Sequence, residues 1–437
     1  MIKKIIRTSI LIGFLATILF VGKSKWIEFR DNTDSDRYSQ PSYRKATDFF
    51  RKVLGMVPRA AAHRALAESY LDEGLEDKAI EEYKKTLQMD EHSVETYLVL
   101  ANIYRRRESY KETWELMKKA KSMIPDNPDI KNQEKQAAYD YFLETGVKTF
   151  EGGDRLKARE LLNSALEADP NSAQAYYLLA FTFDEQQDFH QVEEHLKKAI
   201  SLDPKFYLAL NNLGDLYFGR GDFKAAIEQY QAFCDVKGDD PSVLNNMGLA
   251  YMNLEKYGEA IPRLQKALAS DPLDIGMRHN LSAVYRDSGM LDKAAEGFQS
   301  IIDMEPGYPN VHNDLGGVYR KQGRYQEALK EYRATIEYGK KRLAKNPRDP
   351  QLLVELAYAY NEIQEYEKAK KLVAEALRLD PNNQKAYWTL ANIYKSAKRF
   401  DAALAVLNKA KKLSSKKYLF IEEAIADIKE EKSRSGL

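Results

Sequence analysis

One spacing constrains this chain more than any other feature: an aromatic residue returns every 34 positions. Phe183, Tyr217, Tyr251, Tyr285 and Tyr319 keep that interval, and Tyr70 with Tyr104 and Tyr360 with Tyr394 repeat it. Prolines follow the same beat at Pro170, Pro204, Pro272, Pro306 and, after one offset, Pro381, each behind an acidic residue. Proline lacks the N–H that a helix interior needs, so this dipeptide closes a helix. A period of this length holds two helices and a turn, and such a unit buries its apolar face only against its neighbours.

The small residues predict how the helices meet. Ala67, Ala101, Gly146, Ala180, Gly214, Gly248, Gly316, Ala357 and Ala391 form one row. A second row, Ala79, Ala158, Ala226, Ala260, Ala294, Ala328, Ala369 and Ala403, stands twelve positions later in the repeat frame. Small residues on facing helices let the axes approach closely. Leu179, Leu213, Met247, Leu281, Leu315, Leu356 and Leu390 are then placed to fill the layer between successive hairpins. The chain has the material for such a core, with 44% hydrophobic residues including 28 Tyr and 17 Phe, and this excludes disordered and collagen-like classes.

At these positions the sequence resembles the tetratricopeptide repeat (TPR) family. The resemblance implies an all-α fold, an α-α superhelix or TPR solenoid. Ten units start near residues 60, 94, 139, 173, 207, 241, 275, 309, 350 and 384. A lone second helix with Ala46, Phe50, Val53 and Pro58 in matching positions precedes them. Eleven extra residues between units two and three, and seven between units eight and nine, are near-whole numbers of helical turns, so they predict lengthened, protruding helices around 129–138 and 339–345. The solenoid is expected to occupy residues 43–416, and 417–437 to form a capping helix and tail.

The amino-terminal stretch reads as a membrane segment. Lys3, Lys4 and Arg7 precede an uncharged, mostly apolar run from Thr8 to Gly22, followed by Lys23, Lys25 and Trp26. Fifteen residues make roughly 22 Å of helix, short of the roughly 30 Å hydrocarbon core, so a span needs Ile5 and Ile6 inside and the flanking cations snorkelling outward. Lys23 sits between the small residues that a cleavage site would use, which favours an uncleaved anchor or signal over 1–30 and a polar tether over 31–42. Charge followed by an apolar run points to a body outside the cytoplasm; equal numbers of cations on the two flanks leave the cytoplasmic side open.

The remaining motifs argue against chemistry. Gly22, Lys23 and Ser24 copy the end of a phosphate loop, but Thr17 stands where its first glycine belongs. His190 and His195 are five apart, about 140° round a helix, and do not share the face that a zinc-binding pair needs. The single cysteine, Cys234, excludes an internal disulfide, and 67 basic against 66 acidic residues give no global attraction to nucleic acid. With every domain-sized stretch assigned to repeats, no catalytic residue, cofactor or metal is expected.

Four consecutive first helices carry polar pairs in register: Asn211 with Asn212, Asn245 with Asn246, His279 with Asn280, and Asn313 with Asp314. Each mid-helix Asn costs several tenths of a kcal/mol against Ala or Leu, so the column serves either packing or a ligand. An amide tip offers donor and acceptor together and suits an extended peptide backbone. The column is similar to the Asn ladder in the TPR superhelix of the O-linked N-acetylglucosamine transferases, whose catalytic half has no counterpart here. The TPR resemblance places this helix on a concave groove, with Tyr177 and Trp388 as aromatic neighbours, and implies protein or peptide partners. Asn102 and Asn392 stand at clamp-like positions without the basic partners that would hold a peptide carboxy terminus.

The expectation is therefore a membrane-tethered scaffold that binds partner or client proteins in its groove. The alternative is a non-catalytic, substrate-presenting subunit of a membrane enzyme complex, such as a glycosyl-transfer or envelope-polymer system. Self-association through solenoid faces is a further open reading.

Overall fold

The turns between the helices of each hairpin keep the 34-residue beat in their backbone. Gly221, Glu255, Gly289 and Gly323 all adopt positive φ, and so do Gly74 with Glu108 and Gln364 with Lys398. At Gly221 and Glu255 the helix closes in the same way, with N–H groups of the turn reaching back to the last carbonyls. A left-handed residue is what reverses the chain there; glycine takes it without strain and Glu255, at φ 58°, does not.

The computed structural model describes residues 59–184, 188–308, 310–413 and 419–434; the anchor, tether and preceding half-repeat read from the sequence lie outside them. Among the described residues every regular element is a helix. They fall into two compact units, residues up to Glu144 and from Thr145 onward.

In the first unit, α1 (Arg59–Asp72) pairs with α2 (Glu76–Met89) and α3 (Val94–Arg106) with α4 (Tyr110–Met123). Tyr83, Tyr97, Leu100 and Met117 fill its core. Helix α5 (Pro128–Glu151) begins here and holds the eleven-residue insertion. Its first turns do not protrude as expected. Ile130 is fully buried, and Tyr141 stacks on Trp114 with ring centroids 4.9 Å apart.

The second unit begins with α6 (Arg155–Ala168), α7 (Ala173–Ala180), α8 (Phe189–Leu202), α9 (Tyr207–Arg220) and α10 (Phe223–Lys237). It goes on through α11 (Pro241–Asn253), α12 (Tyr257–Ser270), α13 (Ile275–Asp287), α14 (Leu291–Met304), α15 (Val311–Lys321) and α16 (Tyr325–Lys345). The last described hairpins are α17 (Pro350–Glu362) with α18 (Tyr366–Leu379) and α19 (Gln384–Ser396) with α20 (Phe400–Leu413), followed by α21 (Leu419–Arg434). Closing prolines follow capping residues as the sequence predicts, whereas Pro241 and Pro350 open helices behind the N-caps Asp240 and Asp349.

Close approach within hairpins depends on the small-residue row. A Cβ on Gly214 would stand 2.5 Å from the ring of Tyr230, and one on Gly248 2.6 Å from Leu264. The large partner lies sixteen positions on, so each small residue makes room for one fully buried side chain. The seven-residue insertion lengthens α16, and here too the added turns are packed rather than protruding. Gly339 abuts Leu356, and Leu343 joins the core around α17. Ile421, Ala424 and Ile428 lay one face of α21 on α20, while Glu423, Asp427 and Glu430 stay exposed.

Candidate functional site

Successive first helices touch one another along the second unit, α9 with α11, α11 with α13, α13 with α15, α15 with α17 and α17 with α19, and among the described residues the second helices form no contacts of that extent. First helices therefore line the inner face. The polar pairs lie on it, and the structure joins them across hairpins in a repeated register.

Asn212 Nδ2 donates to Tyr177 Oη at 2.8 Å, Asn280 Nδ2 to Asn245 Oδ1 at 3.0 Å, and His279 Nε2 lies 2.9 Å from Asp314 Oδ2. Each of these bonds spans 35 residues. Asn313 Nδ2 donates to the carbonyl of Glu355 at 3.1 Å over 42 residues, the same step lengthened by the seven-residue insertion. One residue in a first helix thus bonds to the next position in the following first helix.

Between the first two pairs stands Asp215, which the sequence reading did not select. Its carboxylate accepts from Asn211 Nδ2 at 3.1 Å, Asn246 Nδ2 at 3.2 Å and Tyr230 Oη at 2.6 Å. Burial and this carboxylate push the Tyr230 phenol far above its ordinary range. Asn211, Asn212, Asn245, Asn246 and Asn280 remain part-exposed. An amide can make four hydrogen bonds, so these contacts orient the tips and leave sites for a ligand. Asn313 differs: it is 8% exposed, and its Oδ1 accepts from Thr335 Oγ1 at 3.0 Å. It is a packing residue and drops out of the exposed row.

Beyond the amides the face becomes charged and aromatic. Arg286 Nη1 donates to Asp314 Oδ1 at 2.6 Å and Arg286 Nε to Asp287 Oδ1 at 2.8 Å. Burial works against the Arg286 charge, but Asp287 and Asp314 outweigh it and hold the guanidinium above its ordinary value. Arg320 Nη1 meets Glu362 Oε2 at 3.1 Å, where the Glu362 side chain is 10% exposed and that of Arg320 52%. The dehydration therefore falls on Glu362, whose carboxyl is raised by burial against the pull of Arg320. Tyr358 packs beside them, its phenol pushed up to about 12 by burial first and Glu362 second, and it stacks on Trp388 at 6.0 Å. Arg286 and Arg320 stand two helical turns after His279 and Asn313, and Asp215 one turn after Asn211; the 3.6-residue period running from the polar pairs was the signal that would have found them.

Among the described residues no group of three or more His, Cys, Asp or Glu is placed to hold a metal ion, and no helix is long and apolar enough to cross a membrane. In the first unit, Asn102 lines an open cleft of about 490 Å³ with Leu71, Val99 and Arg106.

An inner face built from first helices on a 34-residue beat defines a helical-hairpin repeat protein. Profiles of the tetratricopeptide repeat match residues 173–206, 195–228, 214–255, 245–309, 308–382 and 364–414, an unbroken run over more than half of the chain. The chain is a TPR repeat protein with a helical solenoid fold. It is 27% identical over 103 residues to the type IV pilus assembly protein PilF of Pseudomonas aeruginosa, covering 24% of this chain and 41% of that protein. It is 24% identical over 172 residues to the BBSome complex member BBS4 homolog of Drosophila melanogaster, covering 33% and 35%. The chain thus spans less than half of the length of these curated relatives. Yeast Tom70 aligns over 86% of this chain and 96% of its own, at 18% identity and a TM-score of 0.43.

Proposed function

We propose that this protein is a non-catalytic scaffold that holds an extended segment of a partner protein along the inner face of the second unit. The observation that carries the reading is the row of part-exposed amides from Asn211 to Asn280, oriented by bonds within a helix at Asn211 and between hairpins at Asn246 and Asn280. Preoriented amides can pair with a backbone without first losing rotamer freedom. A backbone reader tolerates changes in its ligand's side chains. Arg286, Arg320 and the Tyr358–Trp388 stack supply a more selective end, where a charged or aromatic residue of the ligand is read. The residues 1–30 segment, with its cationic flanks and apolar centre, is proposed to tether the scaffold to a membrane with the repeats on the outer side.

The test is a peptide scan on the 437-residue chain. Extended peptides that bind are resynthesised with single backbone N-methyl groups and, separately, with single side-chain replacements. Loss of binding on N-methylation with tolerance of side-chain change, and about tenfold weakening in Asn212→Ala with Asn246→Ala, is expected for loss of one or two amide contacts. Binding that survives both N-methylation and the double substitution refutes recognition through the amides.

A further inference from the structure

The net charge of +1 conceals an opposition inside the second unit. Residues 145–308 contain 16 Lys and Arg against 26 Asp and Glu, a net charge of −10; residues 309–413 contain 21 against 12, a net of +9. The division falls at a hairpin boundary, between α14 and α15.

Both signs are presented on one edge. In a stack of hairpins with first helices side by side, the carboxy-terminal ends of all the second helices lie along the same border. On the acidic stretch that border carries Asp235 in the last turn of α10 and Asp239 after it, with Lys237 between them, and Asp303 and Glu305 at the end of α14, all exposed. On the basic stretch it carries Lys340, Lys345 and Arg348 at the end of α16 and Lys412 at the end of α20, also exposed. The insertion that breaks the 34-residue beat is what delivers Lys340 and Lys345: Gly339 and Leu343 turn inward against α17 while the lysines point out.

Part of this charge is satisfied locally. Lys341 pairs with Glu337, Arg378 with Glu375, Lys411 with Glu422 and Asp239 with Lys266. Among the described residues, Lys340, Lys345, Arg348 and Lys412 enter no ion pair. Neighbouring helices stand about 8–10 Å apart and charges are screened over about 8 Å at physiological salt, so the two ends of the border act as separate fields.

We propose that this edge docks a second copy of the chain in antiparallel orientation, the basic end of each copy against the acidic end of the other. A two-fold arrangement satisfies both ends at once, because the same two-signed pattern appears reversed on the partner. A uniform polyanion or an anionic membrane matches only the basic half and is repelled by the other. The inner face remains open in this arrangement, so the inference stands apart from the peptide-binding reading.

Sedimentation velocity of the 437-residue chain in non-ionic detergent tests it, over a concentration series at about 0.05 M and about 0.5 M salt. The expected result is a dimer that weakens at least about tenfold at the higher salt. One variant reverses the basic end (Lys340→Glu, Lys345→Glu, Arg348→Glu, Lys412→Glu) and another the acidic end (Asp235→Lys, Asp239→Lys, Asp303→Lys, Glu305→Lys). Each alone is expected to be monomeric, and an equimolar mixture to dimerise again, since one variant is then negative and the other positive along the whole border. Recovery in the mixture also shows both variants folded; should either lose helical circular dichroism, the matching Gln and Asn sets replace them and are expected to weaken the dimer. A wild-type chain that stays monomeric at low salt overturns the proposal, as does a dimer indifferent to salt and to reversal. Binding of the monomer to anionic vesicles, lost only in the basic-end variant, overturns it in favour of a membrane contact.

Discussion

Removing the Asp215 carboxylate tests whether the inner-face polar row is a connected structure. Asp215 is exposed and would ordinarily be dispensable, yet it accepts from Tyr230, a side chain with no solvent exposure, as well as from Asn211 and Asn246. Asp215→Ala leaves the Tyr230 hydroxyl without its acceptor, which costs about 1–3 kcal/mol for a buried group. Water reaches the vacated carboxylate position, so the lower part of that range, about 1–2 kcal/mol, is expected. Tyr230→Phe removes the hydroxyl itself and costs about 0.5–1.5 kcal/mol. In the Phe background Asp215→Ala then loses only two exposed amide contacts, about 0.5 kcal/mol or less, giving a coupling of about 1 kcal/mol. Equilibrium urea unfolding followed by circular dichroism measures the cycle, and Asp215→Asn, which keeps one acceptor oxygen, should recover most of the loss. Stability in a repeat array is carried by neighbouring interfaces, so the four variants must be compared at equal unfolding slopes. A coupling near zero would show that Tyr230 does not depend on Asp215, and the claim that the amides are preoriented would fail with it.

Two further outcomes follow from the turns and the phenols. Glu255→Gly should raise stability by about 0.5–1 kcal/mol, because φ 58° strains a residue with a Cβ; an unchanged urea midpoint would refute the strain. Tyr83 and Tyr358 have phenols pushed up to about 12 from 10.0, burial being the larger cause in each. A raised phenol makes the native state hold its proton longer than the unfolded chain, so this contribution is complete below about pH 10 and is lost as pH rises towards about 12. Tyrosinate absorbance in the native protein should lag that of the urea-unfolded chain across this window, and coincident titrations would contradict it.

The legible part of the candidate site was the part with a period. Asn211 to Asp314 could be found because they occupy one register in four helices, and the structure keeps them on one face. Whether an amide is offered or buried was not legible. Asn245 and Asn313 are equivalent in sequence, but Thr335 and the Glu355 carbonyl close over the second and not the first. Those partners lie 22 and 42 residues away, beyond any local pattern. The insertions show the same division. Their lengths kept the apolar face in phase and predicted longer helices, while the outward projection expected of them failed because Ile130, Gly339 and Leu343 have packing partners on other helices.

The sequence by itself determined the hairpin, its length and its order, because helix period, closing prolines and small residues act within about one repeat of the chain. Tertiary structure decided which polar groups satisfy one another, where Asp215, Arg286 and Glu362 become part of the surface, and that both signs of charge lie along one edge. These depend on which side chain the neighbouring hairpin brings opposite, a relation across 28 to 42 residues that burial and electrostatics fix only once the hairpins have stacked.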